Sequence, residues 1–211
     1  MGPASARKAI DKYGMLLVFP IQGKPEPSLW SVAYPGEEMR WEWDENGDDR
    51  VARLWHLREE LSRSKKVIYT KWYRGRATFF SRPVFSALLS QQLANEMPLS
   101  RDAKKILALL EESSPQSTKQ IKKESGLQGR LLESTYQKAM KELWQSLKIV
   151  AFGEVADGAF PSLAVGSTKL LFEDLYEQAA ALSEQERNST LAATAKKFGV
   201  SSWDQTNRRK K

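Results

Sequence analysis

Cysteine is absent from the 211-residue chain, and histidine occurs once, at position 56. Disulfide frameworks, thiolate zinc sites and cysteine nucleophiles are thereby excluded, and a serine–histidine triad or a histidine-rich metal site has only His56 to build on. Long apolar runs are also missing. The longest candidate, Met15 to Phe19, falls far short of the ~20 residues that a membrane helix needs. Residues 1–10 mix Arg7 and Lys8 with small side chains and lack the apolar core and cleavage pattern of a secretory signal. No glycine-rich phosphate loop is present. The expectation is a cytoplasmic protein without a membrane segment, a cofactor or a metal, whose chemistry would use carboxylates, amides, lysines or hydroxyls.

What the chain does have is charge and aromatics. Residues 51–150 hold 19 Lys and Arg against 9 Asp and Glu, whereas the flanks are acidic or neutral and the whole chain carries +7. A local excess of that sign points to a polyanionic partner, most often nucleic acid. The hydrophobic fraction of 41% and aromatic fraction of 10% are those of a folded protein with a real core.

Along the chain, residues 4–13 read as a helix ending at Gly14, and residues 15–20 as a strand. Trp30, Tyr34, Trp41 and Trp43 make an aromatic-rich stretch. Asp49 is placed to cap a helix with Val51, Leu54, Trp55 and Leu61 on one face and Arg58 at its rim. Residues 65–81 read as a hairpin turning at Arg74-Gly75-Arg76, its aromatics on one face and its charges on the other. Pro83 opens a helix with Phe85, Leu88, Leu89 and Leu93, which Met97-Pro98 ends. Next come a helix capped by Ser100, a short helix opened by a capping box from Ser117 to Gln120, and a third helix over residues 130–147. That third helix has an apolar stripe of Leu132, Tyr136, Ala139, Met140, Leu143 and Leu147. Strand patterns at residues 148–152 and 162–165 flank a turn at Ala156-Asp157-Gly158. Helix, helix, helix, hairpin is the order of a winged helix. A further helix with Leu171, Phe172, Leu175 and Ala179 follows. The last helix opens with a capping box from Ser183 to Glu186 and stops at Gly199, leaving residues 201–211 as a frayed tail.

The expected fold class is therefore α+β: a winged-helix domain over 99–182, preceded by an aromatic-rich α/β lobe over 1–98 and followed by a C-terminal helix and basic tail over 183–211. A second, degenerate winged helix is the alternative description of the N-terminal lobe. No internal repeat is visible in the residues themselves.

Opposite the apolar stripe of the third helix lie Arg130, Ser134, Gln137, Lys138, Lys141 and Gln145, with Glu133 and Glu142 at the flanks and Lys119, Lys122 and Lys123 on the preceding helix. Basic and amide side chains without an intervening carboxylate suit a helix in a DNA major groove, where phosphates repel acids and base edges are read by Arg, Lys and Gln. An ordinary solvated helix face is the alternative. Arg74 and Arg76 could grip a phosphate backbone from the hairpin tip, or could simply be the wet ends of a turn. The alternating Asp44, Asn46 and Asp48 do not form a calcium loop, because glycine stands at the fourth place and Trp55 where the twelfth-place glutamate is needed.

The blocks Pro27-Ser28-Leu29-Trp30-Ser31, Leu54-Trp55, and Ser64-Lys65-Lys66-Val67-Ile68-Tyr69, running into Arg74-Gly75-Arg76-Ala77-Thr78-Phe79-Phe80 and then the winged-helix pattern, resemble the small bacterial proteins related to the AlkZ-type DNA glycosylases. The resemblance covers about residues 14–180. It implies winged-helix architecture and association with DNA in repair, since those glycosylases are built of tandem winged helices and unhook alkylated bases and crosslinks. They work with a Gln-x-Gln motif, and no two glutamines are so spaced here; Gln91 and Gln92 are adjacent, about 100° apart on a helix.

Three functions follow as expectations. The first is a winged-helix protein binding double-stranded DNA through the basic third helix, in repair or regulation. The second is a DNA glycosylase that flips a damaged base into a pocket walled by Trp30, Trp41, Trp43 and Trp55, with Glu42 or Asp44 as the polar group. The third is a winged-helix protein-interaction module.

Overall fold

The computed structural model describes residues 1–40, 48–200 and 203. Trp41, Glu42, Trp43 and Asp44 lie outside the described residues. The first half begins with α1 (Pro3–Tyr13), stopped by Gly14 at φ +80°, and β1 (Met15–Leu17). It continues through α2 (Leu29–Ala33), α3 (Arg50–Arg63), β2 (Val67–Thr70), β3 (Thr78–Ser81) and α4 (Arg82–Ala94). Beyond Pro98 come α5 (Arg101–Glu112), β4 (Gln116–Ser117), α6 (Thr118–Glu124), a 3-10 turn at Arg130–Leu132, α7 (Glu133–Gln145), β5 (Ile149–Val155) and β6 (Ser162–Ser167). Short α8 (Thr168–Leu171), then α9 (Glu173–Ala181) and α10 (Glu184–Phe198), complete the chain.

Local chemistry sets many of these boundaries. Ser100 Oγ accepts from the Ala103 N–H at 3.3 Å, and Ser183 with Glu186 forms a reciprocal capping box. Ser117 Oγ accepts from the Gln120 N–H at 3.1 Å, without the return bond of a full box.

The six strands among the described residues form one antiparallel sheet in the order β1-β3-β2-β5-β6-β4. The same succession, helix, strand, helix, helix, strand, strand, helix, occurs before and after Pro98, and the strand order reads alike from either end. The two halves join where Tyr69 of β2 stands opposite Ala151 of β5. A repeat invisible in the residues is thus plain in the topology, and the sheet runs across the expected boundary at 98.

Helices cover both faces of this sheet. Leu16, Val67, Tyr69, Phe79, Ile149, Ala151 and Val165 pack with α1, α3, α5, α6 and α7, whereas Met15, Leu17, Ile68, Phe80 and Val150 pack with α4, α9 and α10. This corrects the hairpin expectation. Every residue of β2 and β3 is buried, because a strand covered on both sides has no wet face; Lys71, Arg74 and Arg76 lie in the connection between them, and Lys65 and Lys66 ahead of β2. The tail expectation is also corrected at Trp203, which is buried against Tyr73 and Phe198 and donates its indole N–H to the Leu191 carbonyl at 2.7 Å.

Candidate functional site

Two surfaces contain the residues singled out in the sequence. The first lies on α7 and its approach. Tyr136, Ala139, Met140, Leu143 and Trp144 are buried, whereas Leu132 belongs to the 3-10 turn and is exposed rather than part of the stripe. Opposite them, Ser134, Gln137, Lys138 and Lys141 are exposed at helical neighbour spacing, with Arg130 exposed in the 3-10 turn ahead.

Glu133 lies closer to this set than the flanking position expected. Its carboxylate accepts from Lys122 Nζ at 2.7 Å and from Gln137 Nε2 at 2.8 Å, and these bonds hold its pKa below the ordinary carboxylate value. Lys122 also lies 4.8 Å from the Tyr136 ring centre, so it is spent on structure. Lys119 donates to the Asp157 carbonyl at 2.9 Å, tying α6 to the β5–β6 turn. Lys123 is exposed.

The second surface is a cleft of about 490 Å³ beside the sheet, lined from the first half by Phe19, Trp55, Arg58, Tyr69, Lys71 and Arg76 and from the second by Glu154 and Leu163. It lies on the side of the sheet that carries α7. Arg58 is its centre. Expected at the rim of a stripe, it is instead only 3% exposed, donates to the Glu154 carboxylate, and donates to Tyr69 Oη at 3.3 Å. Trp55, expected among the core residues, is 43% exposed and covers the guanidinium at 4.0 Å from its ring centre.

Glu154 reaches Arg58 because β5 bulges. Ala151 pairs with Val165 but Glu154 pairs with Leu163, so one extra residue intervenes on β5. Without it, alternation would turn Glu154 toward the opposite face. Gly153, at φ +80° in this stretch, donates its N–H to Ser62 Oγ at 2.8 Å.

Burial, reinforced by the charge of Arg58, pulls the Lys71 ammonium below the ordinary lysine pKa, and burial raises that of Tyr69. Of the two hairpin arginines, Arg76 lines the cleft, whereas Arg74 pairs with the buried Glu26 at 3.0 Å. Trp30 packs in the core and donates to the Glu37 carbonyl at 2.9 Å, and His56 is exposed. Sequence reasoning missed Lys71, Tyr69 and Glu154 as site residues. The one available signal was a run of three charged groups, Lys71, Arg74 and Arg76, among aromatics, which marked the place without its cavity. Among the described residues no group of His, Cys, Asp and Glu could hold a metal ion, and no helix is long and apolar enough to cross a membrane.

A family model described as AlkZ related matches residues 2–209. The chain belongs to the AlkZ-related family. The resemblance read from its blocks is borne out over nearly its whole length, and membership points this AlkZ-related protein to a role associated with DNA repair. No curated protein and no solved structure matches the chain.

Proposed function

We propose that this AlkZ-related protein is a tandem winged-helix protein that binds duplex DNA through α7. The observation that carries the reading is the exposed set Arg130, Ser134, Gln137, Lys138 and Lys141 on a helix whose opposite side is buried. Two further features support it. In each half the element order and the strand order, outer first strand, then third, then second, match a winged helix. Lys119 and Lys123 are exposed on α6, the helix whose Lys122 bonds Glu133 of α7. In this reading 1–98 and 99–182 are the two units, and 183–211 is a helix and tail added to them.

Titration of a labelled duplex at several salt concentrations tests it. With about five phosphates contacted, log K falls against log salt with a slope of roughly −4 to −5. Lys138→Ala and Lys141→Ala each reduce that slope by about 1, and Arg130 or Gln137 substitutions alter sequence preference. Absence of binding at micromolar duplex and low salt overturns the proposal. Unchanged affinity in the Lys138/Lys141 double variant assigns the contact to another surface.

The cleft favours base excision as a second reading. An aromatic-walled recess with a carboxylate held in place is what a flipped base requires. Among the described residues the acid in the cleft is Glu154; Glu42 and Asp44 lie outside them. Without the Gln-x-Gln pair to position water, release of alkylated bases is expected to be weak, by ~10²-fold or more. Assays for freed base from alkylated duplex, with Glu154→Gln beside the wild type, decide between weak Glu154-dependent release and none.

A further inference from the structure

We propose that Lys71 is a nucleophilic amine that captures the aldehyde of an abasic site in DNA and opens the strand there by β-elimination. The inference rests on the DNA-binding reading above and names a substrate and a reaction for the cleft.

Four observations converge on this lysine. It lines a recess large enough for a sugar, between Trp55, Tyr69 and the connection from β2 to β3. Its neighbours in charge are already committed: Arg58 to Glu154, and Arg74 to Glu26. Lys71 itself makes no hydrogen bond and no ion pair among the described residues, so nothing need be broken for it to react. Finally, its half-buried position favours the neutral amine, the form that attacks a carbonyl. The remaining cation of the wall, Arg76, is exposed and positioned to attract a flanking phosphate.

The chemistry balances without an added oxidant or metal. The Lys71 Nζ lone pair adds to C1′ of the open-chain deoxyribose, and loss of water leaves an imine. A carboxylate, for which Glu154 is the group in the cleft, removes a C2′ proton; the freed electron pair forms a C2′–C3′ double bond as the C3′–O bond breaks and the 3′ phosphate leaves. Water then hydrolyses the imine, returning the amine and an unsaturated aldehyde on the cut strand.

The test is reductive trapping with borohydride. Full-length protein is incubated with a duplex containing one abasic site, and separately with 2-deoxyribose 5-phosphate. Adducts are located by peptide mass spectrometry, and binding of the intact duplex is measured in the same samples. Both aldehydes are expected to mark Lys71. Lys71→Met and Lys71→Arg lower the adduct yield by about tenfold or more, the arginine keeping the charge without a reactive amine, while Lys105→Met on α5 leaves it unchanged. The trapping rate of the wild type rises to its plateau below the pH at which an ordinary lysine does, in a cleft whose other titratable or charged groups among the described residues are Arg58, Tyr69, Arg76 and Glu154. Binding of the duplex without an adduct, or an adduct undiminished in both Lys71 variants, overturns the inference alone. Failure to bind any duplex removes the DNA-binding reading and the abasic substrate with it.

Discussion

An ammonium drawn partly out of water is destabilising unless something offsets it, and at Lys71 burial and Arg58 act in the same direction. The folded state therefore holds this proton less tightly than the unfolded chain. Stability rises with pH from the depressed pKa of the folded protein up to the ordinary lysine value of about 10.4, because the unfolded chain binds more proton throughout that window. Below the window the full penalty is present. Lys71→Met, which keeps the aliphatic stem, is thus expected to be more stable than the wild type at neutral pH, with the gain shrinking as pH rises through the window. Urea midpoints of the two proteins at a series of pH values measure this, and a gain that did not change with pH would contradict it. A residue that lowers stability where it stands is the kind that function retains. None of this is legible in the residue order. Lys71 reads as one charge of a hairpin, and Arg58 as the rim of a stripe, because their burial depends on β5, about a hundred residues further along.

At the scale of elements, what local chemistry decides was readable and what tertiary contact decides was not. Gly14 and Gly199 end their helices, and Ser100 and Ser183 open theirs, because a cap needs only a few neighbouring residues. The apolar stripe of α7 placed its exposed side correctly from Tyr136 onward, since helical period survives in any surroundings. Leu132 missed because a 3-10 turn breaks that period. In β2 and β3 the covering of both faces erased the alternation that marks a half-buried strand. The bulge in β5 was equally hidden, although the cleft depends on it. Gly153→Ala tests that dependence. A Cβ there would stand 2.5 Å from Arg63 Nε, a flexible group that can yield, but φ +80° is not relieved by any side-chain movement. The expected loss is about 1–2 kcal/mol from the left-handed backbone, read as a lower urea midpoint. Relaxation of the bulge would also turn Glu154 away from Arg58, so under the base-excision reading release dependent on Glu154 should fall further than the loss of stability alone explains.

For the molecule as a whole, the duplicated topology raises the question of how its two equivalent helices are used. The helix occupying the corresponding place in the first half is α3, and part of its polar side is spent on the other half: Arg58 holds Glu154, Arg63 Nη2 donates to the Glu154 carbonyl at 2.5 Å, and Ser62 accepts from Gly153. One helix of the pair thus joins the halves and walls the cleft, leaving the other free. The same contacts predict how the protein unfolds. Each of the two apolar cores contains residues from before and after Pro98, Phe79 and Val165 belonging to one cluster and Phe80 and Val150 to the other. The sheet passes between halves through the β2–β5 pair, so separating them would expose apolar surface on both faces at once. The full chain is therefore expected to unfold in one cooperative transition despite its two units, with tryptophan fluorescence and far-ultraviolet circular dichroism giving the same urea midpoint. Two resolved transitions would show instead that the halves are independent domains and that the cleft between them is formed by docking rather than by folding.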